Sequence, residues 1–93
     1  MPMHYRQNLN VAWRRIRGKE SAILVMPLDC NVLGLSEVAV RVWELLEDWR
    51  ALDDVVEIIT EEYDAPRDQV AADVGELLTQ LQARDFVEQR QEP

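Results

Sequence analysis

Cysteine and histidine, the side chains most often used in metal binding and nucleophilic catalysis, each occur only once, as Cys30 and His4. A single thiol cannot form an internal disulfide, and it excludes a zinc site built on several cysteines. A catalytic Cys–His pair needs its imidazole held within hydrogen-bond reach of the thiol, and His4 lies in a polar N-terminal stretch. The sequence therefore predicts neither a disulfide framework nor a cysteine nucleophile.

Glycine and long apolar runs are also scarce. The 3 glycines, Gly18, Gly34 and Gly75, lie far apart in the sequence, so there is no glycine-rich phosphate loop. No window approaches the roughly 18 apolar residues that cross a bilayer, and residues 1–10 lack the apolar core of a signal peptide. These absences predict a cytoplasmic protein with no membrane partner.

Carboxylates are abundant, but their pattern is that of a solvated surface. The 18 Asp and Glu residues fall mainly on the polar faces of predicted helices. Glu57 and Glu61 share one such face, yet no histidine or cysteine joins them to complete a metal site. We therefore predict no metal, no cofactor and no enzymatic activity.

Basic residues are too few for a nucleic-acid surface. The chain has 10 Lys and Arg against 18 Asp and Glu, which gives a formal net charge of −8. Its one basic cluster comprises Arg14, Arg15, Arg17 and Lys19, whereas nucleic-acid binding relies on clustered cations that displace phosphate counterions. The charge balance argues against nucleic acid as a partner and favours a peptide or a protein.

The first part of the chain has the patterns of β-strands. Short alternating or apolar runs predict strands at 11–16, 21–26 and 32–35, with turn residues between them. No later segment resembles a strand that could pair with the third, so we expect the third strand to be an edge. Residues 1–10 are expected to be a loose N-terminus.

After residue 36 the apolar residues mostly follow helical spacing. It predicts helices at 37–49, 52–63 and 67–83, with Ser36 capping the first, and residues 89–93 as a polar tail. Gly75 lies inside the third helix and forms a small-residue edge with Ala71. That edge has two interpretations: tight packing inside the domain, or close approach of another chain.

Six short motifs follow one another along the chain: Leu35-Ser36, Val42-Trp43-Glu44-Leu45-Leu46, Glu61-Glu62-Tyr63-Asp64, Ala72-Asp73-Val74, Leu78-Thr79-Gln80-Leu81 and Arg84-Asp85-Phe86-Val87. Their order resembles the PqqD-like family, the recognition elements that bind leader peptides of ribosomally made, modified peptides (RiPPs). The resemblance covers residues 11–88 as one domain. The Pro-Glu-Gly turn of members that serve coenzyme PQQ is absent, so a general recognition domain is favoured over PQQ biosynthesis itself.

The resemblance implies an α+β, winged-helix-like fold, in which a three-stranded antiparallel sheet is followed by three α-helices. It implies that a leader peptide adds as a strand to the third β-strand, in a groove closed by the third helix. On this mapping the peptide-binding residues are Asn31, Val32, Leu33, Gly34 and Leu35 on the strand, and Asp73, Val74, Leu77 and Leu78 on the helix. The domain would be non-catalytic and would present the leader to a modifying enzyme, such as a radical SAM enzyme or a leader peptidase.

Two other functions stay open at this point. A winged-helix DNA-binding regulator has similar elements, but it needs a basic recognition helix. Residues 67–83 instead carry Asp68, Asp73 and Glu76 against Arg67 alone. A structural domain could also form an edge-to-edge homodimer through the third strand.

Overall fold

Six strands and three helices make up residues 3–16, 21–26 and 31–91, which are the residues that a computed structural model of the chain describes. The strands are β1 (Met3–Gln7), β2 (Ala12–Arg15), β3 (Ser21–Met26), β4 (Asn31–Ser36), β5 (Arg50–Ala51) and β6 (Val87–Gln91). The helices are α1 (Val38–Leu45), α2 (Leu52–Tyr63) and α3 (Arg67–Ala83). The predicted turns around Gly18 and Cys30 lie outside the described residues.

The strands β2, β3 and β4 form an antiparallel sheet in that order, which confirms the predicted three-stranded sheet and the α+β class. Side chains alternate along β3, where Ala22, Leu24 and Met26 are buried and Ile23 is exposed. Such alternation is expected of a sheet with one covered face. Among the described strands β4 pairs only with β3, so it is an edge, as predicted.

The three helices contact different strands, with α1 on β4, α2 on β1 and β5, and α3 on β6. Their buried apolar residues join those of β3 in one core, and Trp43 and Phe86 are its largest fully buried side chains. The bounds of α2 and α3 agree with the sequence prediction because the signals between them are local. Asp64 adopts the left-handed conformation that ends α2, and Pro66 precedes the first residue of α3. None of the described helices combines the length and hydropathy needed to span a membrane.

The N-terminal segment that was predicted to be loose contains a strand, and the polar tail continues a second one. Residues Met3–Gln7 and Val87–Gln91 pair with each other as antiparallel strands, and β5 pairs with the other side of β1, so that these three strands form a second sheet. The pairing is supported by an ion pair of 2.8 Å between Arg6 and Glu88, which are 82 positions apart. Neither segment is apolar enough to be recognised alone, because each strand is defined by its distant partner.

The first helix is also shorter than predicted. Strand β4 continues through Ser36, and the N-cap position is occupied by Glu37, which has a φ of 41° and makes no capping hydrogen bond with its side chain. At the other end the helix stops at Leu45, so Trp49 lies outside it. Two guanidinium groups contact the Trp49 ring, with the carbon of Arg6 at 4.6 Å and that of Arg90 at 4.4 Å from its centroid. Cation–π contacts to the second sheet therefore replace the helical contacts expected for Trp49.

Gly75 has open space around it, so tight packing inside the domain is the wrong interpretation of the small-residue edge. A Cβ added at this position would meet nothing within 4 Å. Replacement of Gly75 by alanine is therefore expected to raise the free energy of unfolding by about 1 kcal/mol, the usual difference between the two residues inside a helix. Urea unfolding of the two proteins measures this change in the free energy of unfolding.

The matched control for Gly75→Ala is the reverse change at Ala71, which is exposed one turn earlier on α3. Ala71→Gly is expected to lower the free energy of unfolding by a similar amount. A loss of stability in Gly75→Ala would contradict the open surroundings of this residue.

Candidate functional site

The free edge of β4 can be oriented from the pairing of its neighbours. Ile16 N–H donates to the Ser21 carbonyl at 2.9 Å, so the main chain of Ser21 faces β2. In an antiparallel sheet both main-chain groups of a residue point the same way, and the direction alternates along the strand. The residues of β3 that face β4 are therefore Ala22, Leu24 and Met26.

The partners of those three residues on β4 are Leu35, Leu33 and Asn31, whose main-chain groups must point back to β3. The N–H and C=O groups of Val32, Gly34 and Ser36 then point away from the sheet. A separate observation agrees, because the Val32 carbonyl accepts a hydrogen bond from the Arg84 guanidinium at 3.3 Å. The edge of β4 thus presents an alternating row of main-chain donors and acceptors.

Arg84 and Asn31 connect the C-terminal end of α3 to the beginning of β4. Arg84 Nη1 donates to Asn31 Oδ1 at 3.2 Å, and Asn31 Nδ2 donates to the Arg84 carbonyl at 3.0 Å. Together with the bond to the Val32 carbonyl, these contacts close one end of the space between β4 and α3. We call this set of contacts the Arg84 clasp.

An apolar cavity of about 210 Å³ lies among the three helices, and its lining begins at Val38, two residues beyond the end of β4. It is lined by Val38, Ala39, Val42, Ile59, Tyr63, Ala65, Gln69, Val70, Asp73, Val74 and Leu77. Asp73 is the single charged residue in this lining, and Gln69 Nε2 lies 3.2 Å from each of its carboxylate oxygens. The cavity is therefore an apolar pocket with one carboxylate at its rim.

An exposed ion pair lies next to this cavity, between α1 and α2. The Arg41 guanidinium on α1 donates two hydrogen bonds of 2.8 Å to the carboxylate of Glu62 on α2. These hydrogen bonds hold the pKa of Glu62 below its usual value. The pair links α1 to α2, two of the helices that line the cavity.

The predicted site residues on β4 fall on both faces of the strand. Val32 has 55% of its surface exposed, Gly34 is exposed, and Leu35 is buried in the core at 5% exposure. Leu33 is partly buried against the core, and Asn31 belongs to the Arg84 clasp. The strand therefore offers main-chain groups at its edge, while its inward side chains anchor it to the core.

The predicted site residues on α3 separate into two groups. Asp73, Val74 and Leu77 line the cavity, whereas Leu78 is buried in the core and does not reach it. The sequence prediction did not include Arg84 or the α1 residues Val38 and Ala39. Arg84 follows Leu77 by two helical turns, so helical spacing alone would have placed it on the same flank.

The site has the features of a binding surface for an extended chain. Within the part of the chain that the structure describes, no three His, Cys, Asp or Glu side chains lie close enough together to hold a metal ion. The elements present are an open strand edge, an apolar cavity and two charged side chains. An extended peptide matches all three, because it can pair with a strand edge and insert alternate side chains into pockets.

Two solved structures are similar to this fold. The structure titled "TbiB1 in Complex with the TbiA(beta) Leader Peptide" has a TM-score of 0.78 and 25% sequence identity, over 89% of this chain and 94% of that chain. A solution NMR structure of the PqqD truncation of Methylobacterium extorquens PqqCD, described as a stand-alone RiPP recognition element, has a TM-score of 0.74 and 22% identity. That match covers 91% of this chain and 88% of the other. No curated protein matches the sequence.

A family model agrees with the structural comparison. The family described as "Coenzyme PQQ synthesis protein D (PqqD)" matches residues 21–87, a segment that extends from the start of β3 to the start of β6. The match covers well over half of the chain and confirms the resemblance predicted from the sequence motifs. The chain belongs to the PqqD family.

Proposed function

We propose that this chain is a non-catalytic recognition module that binds the leader region of a ribosomally synthesised precursor peptide. The observation that carries the proposal is the open edge of β4 beside the apolar cavity. The leader would add to β4 as an extra strand and insert a side chain into the cavity. Membership of the PqqD family supports this function, as does the similarity to TbiB1, whose structure contains a leader peptide.

The main-chain part of the interaction would use the outward groups of β4. No residue from Asn31 to Ser36 is charged or a proline, although natural edge strands usually carry such protection, and Arg84 covers the Val32 carbonyl at the start of the edge. Each hydrogen bond to Gly34 or Ser36 would contribute about 0.5–1.5 kcal/mol net. A few such bonds would hold a peptide in register without reading its sequence.

The side-chain part would give specificity. The cavity of about 210 Å³ is smaller than the clefts of about 300–1,000 Å³ that bind drug-sized ligands. It suits one large aliphatic or aromatic side chain of the peptide. Leu77 on α3 lines the cavity and is only partly buried, so it can contact such a side chain. Because it is not fully buried, it is not essential to the core.

The bound leader would be presented to a separate modifying enzyme, such as a radical SAM enzyme or a leader peptidase. Strand addition leaves the remainder of the precursor free, because only the paired segment is held in the groove. The module would thereby raise the local concentration of the modifiable part near the enzyme's active site. A precursor-like reading frame beside such an enzyme gene would identify the natural leader.

A hydrogen-exchange experiment tests strand addition directly. The leader peptide encoded beside the gene is added to the ¹⁵N-labelled chain, and amide exchange is followed by NMR. We expect the Gly34 and Ser36 amides to become protected, because both face outward and would donate to the peptide. Tight binding without protection of these amides would exclude addition to β4, and absence of binding would exclude the function.

Leu77→Lys and Ala71→Lys form a matched pair on α3, one inside the cavity lining and one outside it. Leu77→Lys is expected to weaken leader binding about tenfold or more, since an apolar side chain would lose a burial worth about 1.5–3 kcal/mol. Ala71→Lys adds the same charge outside the cavity and should leave binding unchanged. If the Gly34 and Ser36 amides are already protected without peptide and the mass is doubled, a second copy occupies β4 and the proposal fails.

A further inference from the structure

The groove between β4 and α3 has opposite charges at its two ends. Arg84 contacts the start of β4, and Asp73 lines the cavity together with Val38, which follows the end of β4 by two residues. Both side chains are exposed, and Arg84, the C-cap of α3, follows Asp73 by three helical turns and so lies on the same flank. The groove is therefore electrostatically asymmetric along the direction in which a peptide would lie.

Both charges are held only by neutral partners. Arg84 donates to an amide oxygen and a main-chain carbonyl, and Asp73 accepts from an amide. Three other arginines, Arg6, Arg15 and Arg41, form ion pairs instead. Among the described residues, neither Arg84 nor Asp73 does so. A charged partner would make stronger hydrogen bonds than these neutral groups, so both positions favour an incoming ion of opposite sign.

The spacing of the two charges can be expressed in peptide residues. From Asp73 to Arg84 the helix axis rises about 16 Å, at 1.5 Å per residue. An extended strand rises about 3.3 Å per residue, so about five residues of a peptide would cover this distance. The cavity lies at the Asp73 end of the interval.

The direction of the peptide decides the order of its charges. Strand β4 runs from the Arg84 clasp towards the cavity, and every pairing in its sheet is antiparallel. Antiparallel pairing is also slightly more stable per residue than parallel pairing. A peptide added antiparallel to β4 would have its N-terminal end at Asp73 and its C-terminal end at Arg84.

We infer that the groove selects a peptide segment with a basic residue about five positions before an acidic residue, together with a large apolar residue close to the basic one. The basic side chain would pair with Asp73, the apolar side chain would fill the cavity, and the acidic side chain would pair with Arg84. This inference rests on the proposed leader-binding function and adds the chemistry of the segment that is bound. It also gives Arg84 a role as a specificity-determining residue.

Charge order must be separated from net charge, because a chain with a net charge of −8 attracts any basic peptide. The test therefore begins with a displayed library of random decapeptides selected on the immobilised full chain. Two synthetic peptides of identical composition follow, one with the enriched charge order and one with the basic and acidic residues exchanged. We expect about tenfold tighter binding of the first peptide, a preference that weakens at high salt.

A charge-exchanged chain, Asp73→Lys with Arg84→Glu, provides the decisive variant. Both positions are exposed, and circular dichroism verifies that the fold is kept. The preference between the two peptides is expected to reverse on this variant. An unchanged preference would overturn the inference, because the selectivity would then come from elsewhere in the chain.

Failure of the inference is distinguishable from failure of the proposed function. If selected peptides protect the Gly34 and Ser36 amides but show no charge order, strand addition stands and the inference is overturned. If no selected peptide protects these amides, strand addition to β4 fails, and the inference fails with it.

Discussion

Replacing Gly34 with proline is expected to weaken leader binding by about 2 kcal/mol or more, a factor of roughly thirty. The Gly34 N–H faces the free edge of β4, so proline would remove a main-chain donor that can bond to the peptide. Its ring would also occupy the space into which the peptide backbone must move. Isothermal titration with the leader peptide measures the loss.

Gly34→Ala is the matched control. It keeps the N–H, and its Cβ would meet nothing within 4 Å, so binding should be close to that of the unmodified chain. Proline is tolerated at an edge position whose N–H faces solvent, so Gly34→Pro should still fold. Proline at Leu33 would instead break the pairing with β3 and could not separate binding from folding. Equal affinities for Gly34→Pro and Gly34→Ala would contradict the proposed orientation of the edge.

Truncation of Trp43 to alanine is expected to lower the free energy of unfolding by about 3–5 kcal/mol. The Trp43 side chain on α1 is completely buried, and its ring contacts that of Trp13 edge-on, at 6.4 Å between centroids and an angle of 82°. Small domains have a total stability of about 5–15 kcal/mol. The variant should therefore be partly unfolded at moderate temperature. Urea unfolding followed by circular dichroism measures the change.

Trp13→Ala distinguishes burial from the aromatic contact. It removes the same ring pair, but Trp13 lies on the edge strand β2 with 38% of its surface exposed. The expected loss is about 1–2 kcal/mol, since less apolar area returns to water and the ring pair itself contributes about 0.5–1.5 kcal/mol. Similar unfolding midpoints for the two variants would show that Trp43 is not the centre of the core.

The elements that sequence patterns predicted well are those with local causes. Strand β3 is a continuous apolar run, and α2 and α3 have clear helical spacing with a break at Asp64 and Pro66. The end of α1 had no such signal. Trp49 continues the apolar spacing of the helix, yet its preferred partners are two arginines of the second sheet. Non-local contacts therefore overrode a local pattern.

The parts of the site that have a local cause could also be predicted from the sequence. An unprotected edge strand can be recognised from composition, and the helix residues were inferred from the family resemblance. The Arg84 clasp could not be inferred, because it joins Asn31 to a residue 53 positions away. The outward direction of the Gly34 N–H also depends on the pairing register of two neighbouring strands. Such features become visible only when distant segments are brought together.

The pairing of β1 with β6 brings Met3 opposite Gln91. A domain or enzyme fused to either end of this chain would therefore leave from nearly the same point, at a sheet that does not contain β4. The reach of a tether depends on its length and on where it starts. N-terminal and C-terminal fusions with equal linkers should consequently hold a partner at a similar effective concentration around the groove, so that gene order imposes little constraint on how the two parts are joined.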